Sequence, residues 1–461
     1  MQHNRALVGS SGVGGGSASA AAAADVNEAR EYAYEIKASS FKYGPGVIRE
    51  LGHDARSMRM SKVVVFTDAT VRALPFFAAA IAALKSTVSS VLVFDEVAVE
   101  PTDRSCEAAA AFLTDAIGRD ACDGVISIGG GSVMDTLKIA NLLAVHGGRI
   151  LDWTNAPIGA GRIPDRALLP HIAVPTTCGT GAEQTGLAIY DLVAIGAKTG
   201  VGNSAIKPDR AVIDPEAVYS LPAGVIAASG FDTLSHSIES YTARPYTARP
   251  LPRDRVRPAA QGATPFTDIG CLAALEIVGV HLPQAVLGDR AALERMVFAS
   301  TLAGTAINGA GCTAPHALSY SISSLNKQLK WQPRKGAGWP AAPIVPHGFA
   351  VALTAPACFR HNASTNPERH LRCARLLDPR NEHNTRDATP DQAGEALRLA
   401  VVAMMRRNNM PSGLAEIGYS EAHMNDLVKG ALPQRRLLDN NPRPLDAASI
   451  AQIYRESFNV F

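Results

Sequence analysis

A chain of 461 residues is too long for one ordinary hydrophobic core, and two domains are expected. Its 47% hydrophobic and 19% charged residues are the balance of a globular chain, which excludes intrinsic disorder as the general state. The 44 Lys and Arg against 42 Asp and Glu give no electrostatic case for nucleic acid or an anionic membrane as a partner, and seven scattered cysteines without a C-x-x-C read as free thiols, not a disulfide scaffold.

The first stretch, MQHNRALVGSSGVGGGSASAAAAAD, has no acidic residue before Asp25 and a single arginine, Arg5. A Ser-rich, acid-poor start fits a mitochondrial transit segment, and it equally fits a flexible tail. Residues 1–30 are set aside from the fold. No uninterrupted apolar run reaches the roughly 18 residues that span a bilayer, so no membrane partner is expected.

From SKVVVFTDAT (61–70) onward, short β-branched runs alternate with helical stretches. Strands are expected at VVVF (63–66), SVLVFDEV (90–97), GVISIGGGS (124–132, running into a glycine turn) and HIAVPTT (171–177). Helices are expected at RALPFFAAAIAALKS (72–86) and DRSCEAAAAFLTDAIG (103–118). Such alternation predicts βαβ units and a mainly parallel sheet. After IDPEAVYSLP (213–222) the pattern turns to Ala and Leu at helical periods, as in DIGCLAALEIVGVHL (268–282) and ERMVFASTLAGTAI (294–307). The expected organisation is an α/β nucleotide-binding domain over 31–214 and an all-α domain over 215–461. Two Pro/Arg-rich stretches, 241–261 and 327–348, are expected to be loops.

Four features carry chemistry. In VISIGGGSVMDTLKIANLL (125–143), Gly129, Gly130, Gly131 and Ser132 lie between a strand and a helix, where backbone N–H groups and the helix dipole favour an anion. This is not G-x-G-x-x-G, and a plain tight turn explains it as well. Asp135 either suits the helix dipole or projects into a cleft. Thr176 and Thr177 follow a strand end, where ligands gather in open sheets; a capping turn is the alternative. Asp68, ending VVVFTD, could accept from ribose hydroxyls and so favour NAD over NADP, or could cap the helix that begins at ATVRAL. In GFDTLSHSIESYT (230–242), Asp232 and His236 share one helix face. They form a satisfied polar pair or half of a metal site. His316 and His347 could each be core histidines, but with the pair they make three imidazoles and a carboxylate, a donor set suited to Fe(II) or Zn(II).

GGGSVMDT, VPTTCGTGAE, GFDTLSHSIESYT, the His316 segment and VPHG together, in this order, resemble the iron-containing (group III) alcohol dehydrogenases over residues 35–461. Further stretches, among them EPTDRS (100–105), SAIKPDRAVIDP (204–215), NPERHLRCARLL (366–377) and GYSEAHMNDLVKGALPQRRLL (418–438), are similar to the branch that carries hydride from a hydroxy acid to an oxo acid. The resemblance implies a dinucleotide-binding α/β domain followed by a helical metal-binding one. It implies Asp232, His236, His316 and His347 as ligands of a divalent metal, iron first and zinc second. It also implies NAD contacts at Asp68, the glycines with Ser132, Thr176, Thr177 and Lys198, with NAD held tightly. Where many family members carry a second histidine four residues beyond the third ligand, this chain has Tyr320, a poorer proton carrier because its pKa is about 10. Asp135 and Tyr320 are the catalytic candidates.

The implied reaction oxidises 4-hydroxybutyrate (or 3-hydroxybutyrate) to succinate semialdehyde (or acetoacetate) and reduces 2-oxoglutarate to 2-hydroxyglutarate. An ordinary NAD-dependent alcohol dehydrogenase and a dehydroquinate synthase-like metal-dependent lyase are the alternatives. Carboxylate substrates call for cations, and Arg244, Arg249, Arg253, Arg255 and Arg257 follow the first ligand pair, with Arg244 nearest. A solvated loop is the other reading of that stretch. A homo-oligomer, a dimer, is expected, in the mitochondrial matrix or, for a bacterial chain, the cytoplasm.

Overall fold

The computed structural model describes residues 30–252, 256–333, 339 and 342–461. Six strands make one wholly parallel sheet: Ser40–Tyr43 (β1), Lys62–Phe66 (β2), Ser90–Phe94 (β3), Gly124–Gly129 (β4), His171–Pro175 (β5) and, later in the chain, Arg210–Ile213 (β8). Their order is β1-β8-β5-β4-β2-β3. Every residue of β4 and β5 is buried, which is why their sequences run apolar without alternation. Leu187–Leu192 (β6) and Ala197–Gly202 (β7) pair as a separate antiparallel hairpin, closed by Gly196 in the left-handed region at φ 59°.

The chain order reverses between β2 and β4, since β3 lies on one side of β2 and β4 on the other. Open sheets bind ligands above the carboxyl ends of the strands at such a reversal. Here those ends are Asp68, just past β2, and Gly129, the last residue of β4. Thr67 ties them together by donating its hydroxyl to the Ile128 carbonyl at 2.8 Å.

No strand occurs among the described residues after Ile213, and long helices take over. The fold is therefore the expected one, an α/β part with a parallel sheet followed by a helical part. Strands β1, β6, β7 and β8 are additions to the sequence reading. β1 and β8 are each only four residues long, and Ser40 and Phe41 of β1 are exposed.

One helix among the described residues, Pro265–Val286, is long and apolar enough by length and composition to cross a bilayer. Its mean hydropathy of 1.6 was hidden from a search for uninterrupted runs by residues such as Asp268, Glu276 and Gln284. Cys271, Ala274, Leu275, Val278 and Leu282 of this helix are buried in the large core of the helical part.

The two parts meet at close quarters. Gly181 (φ 58°) brings the loop after β5 into backbone contact with Gly304 of the Arg290–Ala310 helix. Gln434 donates to the Lys198 carbonyl at 3.3 Å from the far end of the chain. A cleft opens between the sheet and the helices.

Candidate metal and nucleotide site

Asp232 and His236 lie one turn apart on the Ala223–Thr242 helix, where the other buried residues from Ile226 to Thr242, Glu239 apart, are small, hydroxyl-bearing or apolar. Asp232 Oδ1 is the centre on which three imidazoles converge: His316 Nε2 at 3.3 Å, His236 Nε2 at 3.4 Å and His347 Nε2 at 3.7 Å. His316 comes from the first turn of the Ala314–Leu329 helix and His347 opens the His347–Asn362 helix. The rings of His236 and His316 stack with centroids 4.7 Å apart. Gly348 makes the position of His347 possible, because a Cβ there would run into the Ala228 carbonyl oxygen.

Glu239, fully buried one turn beyond His236, orients the set. Its Oε1 lies 2.6 Å from His316 Nδ1, while Oε2 accepts from the Thr313 N–H at 2.7 Å and the Thr313 hydroxyl at 3.1 Å. A carboxylate behind one ring nitrogen keeps the proton there and turns the lone pair of the other outward. That lone pair, on His316 Nε2, then faces Asp232 Oδ1. Both atoms are buried without a hydrogen-bond partner, as is His236 Nδ1. Lone pair against carboxylate in a dry pocket is repulsive unless a cation stands between them. The residues present therefore fit a divalent ion.

Burial alone would raise the Asp232 carboxyl, but the nearby charges of His236 and His347 outweigh it and hold it well below the usual carboxylate range. Desolvation pushes the His347 imidazole down to about 4, although 36% of that side chain stays open to the cleft. Cys312 is a further neighbour: its thiol lies with the ring nitrogens of His236 and His316 within 4.8 Å. Burial would raise that thiol, but the two imidazoles draw it down to about 7.

The cleft that holds the four acidic and imidazole groups is also lined by Gly131, Ser132, Asp135, Lys198 and Tyr320. Ser132 accepts from the Glu100 N–H at 3.2 Å. Asp135 accepts from the Ile189 N–H at 3.0 Å and so ties its helix to β6; burial raises its carboxyl. Lys198 is paired with Asp191 at 2.9 Å and Glu100 at 3.5 Å. Tyr320 is buried, and its hydroxyl has no hydrogen-bond partner among the described residues. Burial raises its pKa above the ordinary tyrosine value.

Asp68, Gly129, Gly130, Thr176 and Thr177 do not line this cavity but sit at or just past strand ends. The Thr176 N–H donates to the Gly129 carbonyl at 3.1 Å, so the glycine turn and the threonine loop lie side by side. Cβ atoms on Gly130 and Gly131 would press on Thr177 and Thr180, at 3.1 and 2.8 Å. Asp68 is a helix cap in fact: its Oδ1 accepts from the Thr70 and Val71 N–H groups, each at 2.9 Å.

The arginine stretch lies elsewhere. Arg244 donates to the Ala248 carbonyl and shares a separate cavity with Arg249 and Glu31, and Arg257 is paired with Glu31 at 2.8 Å. Arg253 and Arg255 lie outside the described residues. The arginine that does line the cleft is Arg436. Cys312 and Arg436, which line the cleft, and Glu239, which stands behind His316, were missed as site residues because the tertiary fold brings them there.

Residues 38–215 match the family described as iron-containing alcohol dehydrogenase, and residues 259–326 and 340–458 match the C-terminal part of the Fe-containing alcohol dehydrogenase family. The chain belongs to the iron-containing alcohol dehydrogenase family and is by that membership an oxidoreductase. Within it, the chain is 40% identical over 436 residues to the mitochondrial hydroxyacid-oxoacid transhydrogenase of Mus musculus, covering 94% of this chain and 91% of that protein. It is 39% identical to the Homo sapiens protein of the same name, with the same coverage. Among solved structures, 1,3-propanediol oxidoreductase superposes with a TM-score of 0.79 at 25% identity, covering 93% of this chain and all (100%) of that one.

Proposed function

We propose that this chain is a hydroxyacid–oxoacid transhydrogenase. It oxidises 4-hydroxybutyrate, or 3-hydroxybutyrate, to the corresponding oxo compound and uses the same hydride to reduce 2-oxoglutarate to 2-hydroxyglutarate. The reading is carried by one observation, the convergence of His236, His316 and His347 on Asp232 Oδ1, with three of the four groups left with a buried, unpartnered atom. It is supported by the likeness to the transhydrogenases of mouse and human.

Asp232, His236, His316 and His347 would hold the divalent ion, Fe(II) in the family's name and Zn(II) by the same donors. Gly129, Gly130, Gly131, Ser132, Thr176, Thr177, Lys198 and Asp68 would hold NAD along the sheet reversal. When bound, the ion supplies Lewis acidity toward the substrate oxygen and NAD accepts and returns the hydride.

The chain's own residues do the rest. Glu239 keeps the proton on His316 Nδ1, so that Nε2 keeps its lone pair toward the centre of the site. Tyr320, kept neutral by burial, presents an unpartnered hydroxyl to the cleft and can donate a hydrogen bond to the reacting oxygen. Asp135, which lines the cleft, accepts from the Ile189 N–H and so fixes its own helix against β6. Lys198, neutralised by Asp191 and Glu100, would contact NAD without adding net charge.

A ping-pong cycle needs NAD to stay bound while the two acids exchange. The test is to supply purified protein with 4-hydroxybutyrate and 2-oxoglutarate, add no nicotinamide, and follow 2-hydroxyglutarate by mass spectrometry. Repeated turnovers support the reading. Product that appears only with added NAD, together with released NADH, replaces it with an ordinary dehydrogenase. The relatives are called mitochondrial, and we place this chain in the matrix with residues 1–30 as its transit segment. Fractionation of cells expressing the full chain and a chain lacking those residues tests this. A dimer is proposed and is read from sedimentation.

A further inference from the structure

We infer that Arg436 binds the carboxylate of both substrates and so sets the specificity of the cleft for hydroxy and oxo acids. The inference rests on the transhydrogenase reading and names the group that recognises its substrate class.

Two basic side chains other than histidine line the cleft, Lys198 and Arg436. Lys198 is already neutralised by Asp191 and Glu100. Arg436 is half-buried and makes no ion pair or hydrogen bond among the described residues. Its neighbour Arg435 is different, being engaged with Asp439. A guanidinium left unpaired in a partly dry cleft is a standing anion site, and its planar fork matches a carboxylate with two parallel hydrogen bonds. It is held in place from both sides of the backbone. The short Arg435–Leu438 helix is pinned by the buried side chains of Leu437 and Leu438, and Leu437 itself lines the cleft. Arg436 lines the same cavity as Tyr320 and the four convergent groups, which puts it within the cleft where the reacting oxygen is expected.

The substrates fit one such cation. In 4-hydroxybutyrate two methylenes separate the carbinol carbon from the carboxylate. In 2-oxoglutarate two methylenes separate the keto carbon from the distal carboxylate. A single fixed arginine can therefore hold the anchor of either acid while the reacting carbon occupies the same place, which a ping-pong exchange in one site requires. 3-Hydroxybutyrate has one methylene fewer and is expected, on this proposal, to be the poorer substrate.

The test compares Arg436→Gln, Arg436→Lys and the wild type, with NAD in excess, on 4-hydroxybutyrate and on 1-butanol, in which a methyl replaces the carboxylate. The ratio of kcat/KM for the acid over the alcohol falls roughly 10- to 100-fold in Arg436→Gln, mostly through KM for the acid, with partial recovery in Arg436→Lys. KM for 2-oxoglutarate rises in parallel. Metal content and melting temperature report that the fold is kept. If wild type and Arg436→Gln discriminate equally, or if the variant raises KM for NAD and not for the acids, the inference fails and the transhydrogenase reading stands. If the wild type itself does not prefer the acid, both fall.

Discussion

Glu239 Oε1 lies 2.6 Å from Nδ1 of His316, and the opposite nitrogen of that ring faces Asp232 Oδ1 at 3.3 Å. The pair decides what the site is. A carboxylate placed behind an imidazole makes it a ligand for a cation, and Glu239 is itself held by two donors from Thr313.

Replacing Glu239 by Gln keeps an acceptor for His316 but turns one amide N–H toward the Thr313 donors. Loss of roughly 10- to 100-fold in metal affinity is expected, since that is the usual effect of removing a partner behind a ligand. Competition with a chromophoric chelator measures it. An affinity equal to the wild type would show that Glu239 only fills space.

Gly348→Ala puts a Cβ against the Ala228 carbonyl oxygen. The His347–Asn362 helix must shift, and His347 shifts with it. Overpacking of this kind costs about 1–3 kcal/mol. A lowered melting temperature together with lowered metal content is expected; a stable protein with full metal content would contradict the close approach.

His171, buried in β5 with Nε2 2.8 Å from Ser127 Oγ, is pushed down to about 3 by burial. Its folded value lies below the unfolded value of about 6.5, so the unfolded chain binds the extra proton. The stability this gives is complete above pH 6.5 and is lost as pH falls toward 3, at about 1.4 kcal/mol per unit. Urea unfolding at pH 7 and pH 5 should show His171→Gln losing about 2 kcal/mol less than the wild type between the two. Equal losses would mean that His171 is open to solvent.

Asp68→Ala removes the cap on the Thr70 and Val71 N–H groups, at a cost of about 1 kcal/mol. Asp68→Asn keeps the cap. If Asp68 also reads the ribose, both variants lower the preference for NAD over NADP, and a preference unchanged in Asp68→Asn would leave capping as its whole role.

What could be read from the residues follows from where the physics is local. The four-residue spacing of Asp232 and His236 survives into the structure because a helix face is set by its own periodicity. The apolar runs of β2, β4 and β5 were legible because burial on both faces leaves no alternation to disguise them. Glu239 was invisible as a partner of His316, 77 residues away, because nothing in the sequence says which helices meet. The arginines after the first ligand pair misled for the same reason: nearness in the chain put Arg244 forward, while its guanidinium is used on the Ala248 carbonyl and the cleft is reached by Arg436 from the other end of the helical part.

The most direct test of the account uses 4-hydroxybutyrate carrying deuterium at C4, with 2-oxoglutarate and no added nicotinamide. Deuterium at C2 of the 2-hydroxyglutarate formed, over many turnovers and absent in His347→Ala, is the predicted result. Labelled NADH that appears in solution only when NAD is supplied, with no labelled 2-hydroxyglutarate, would contradict it.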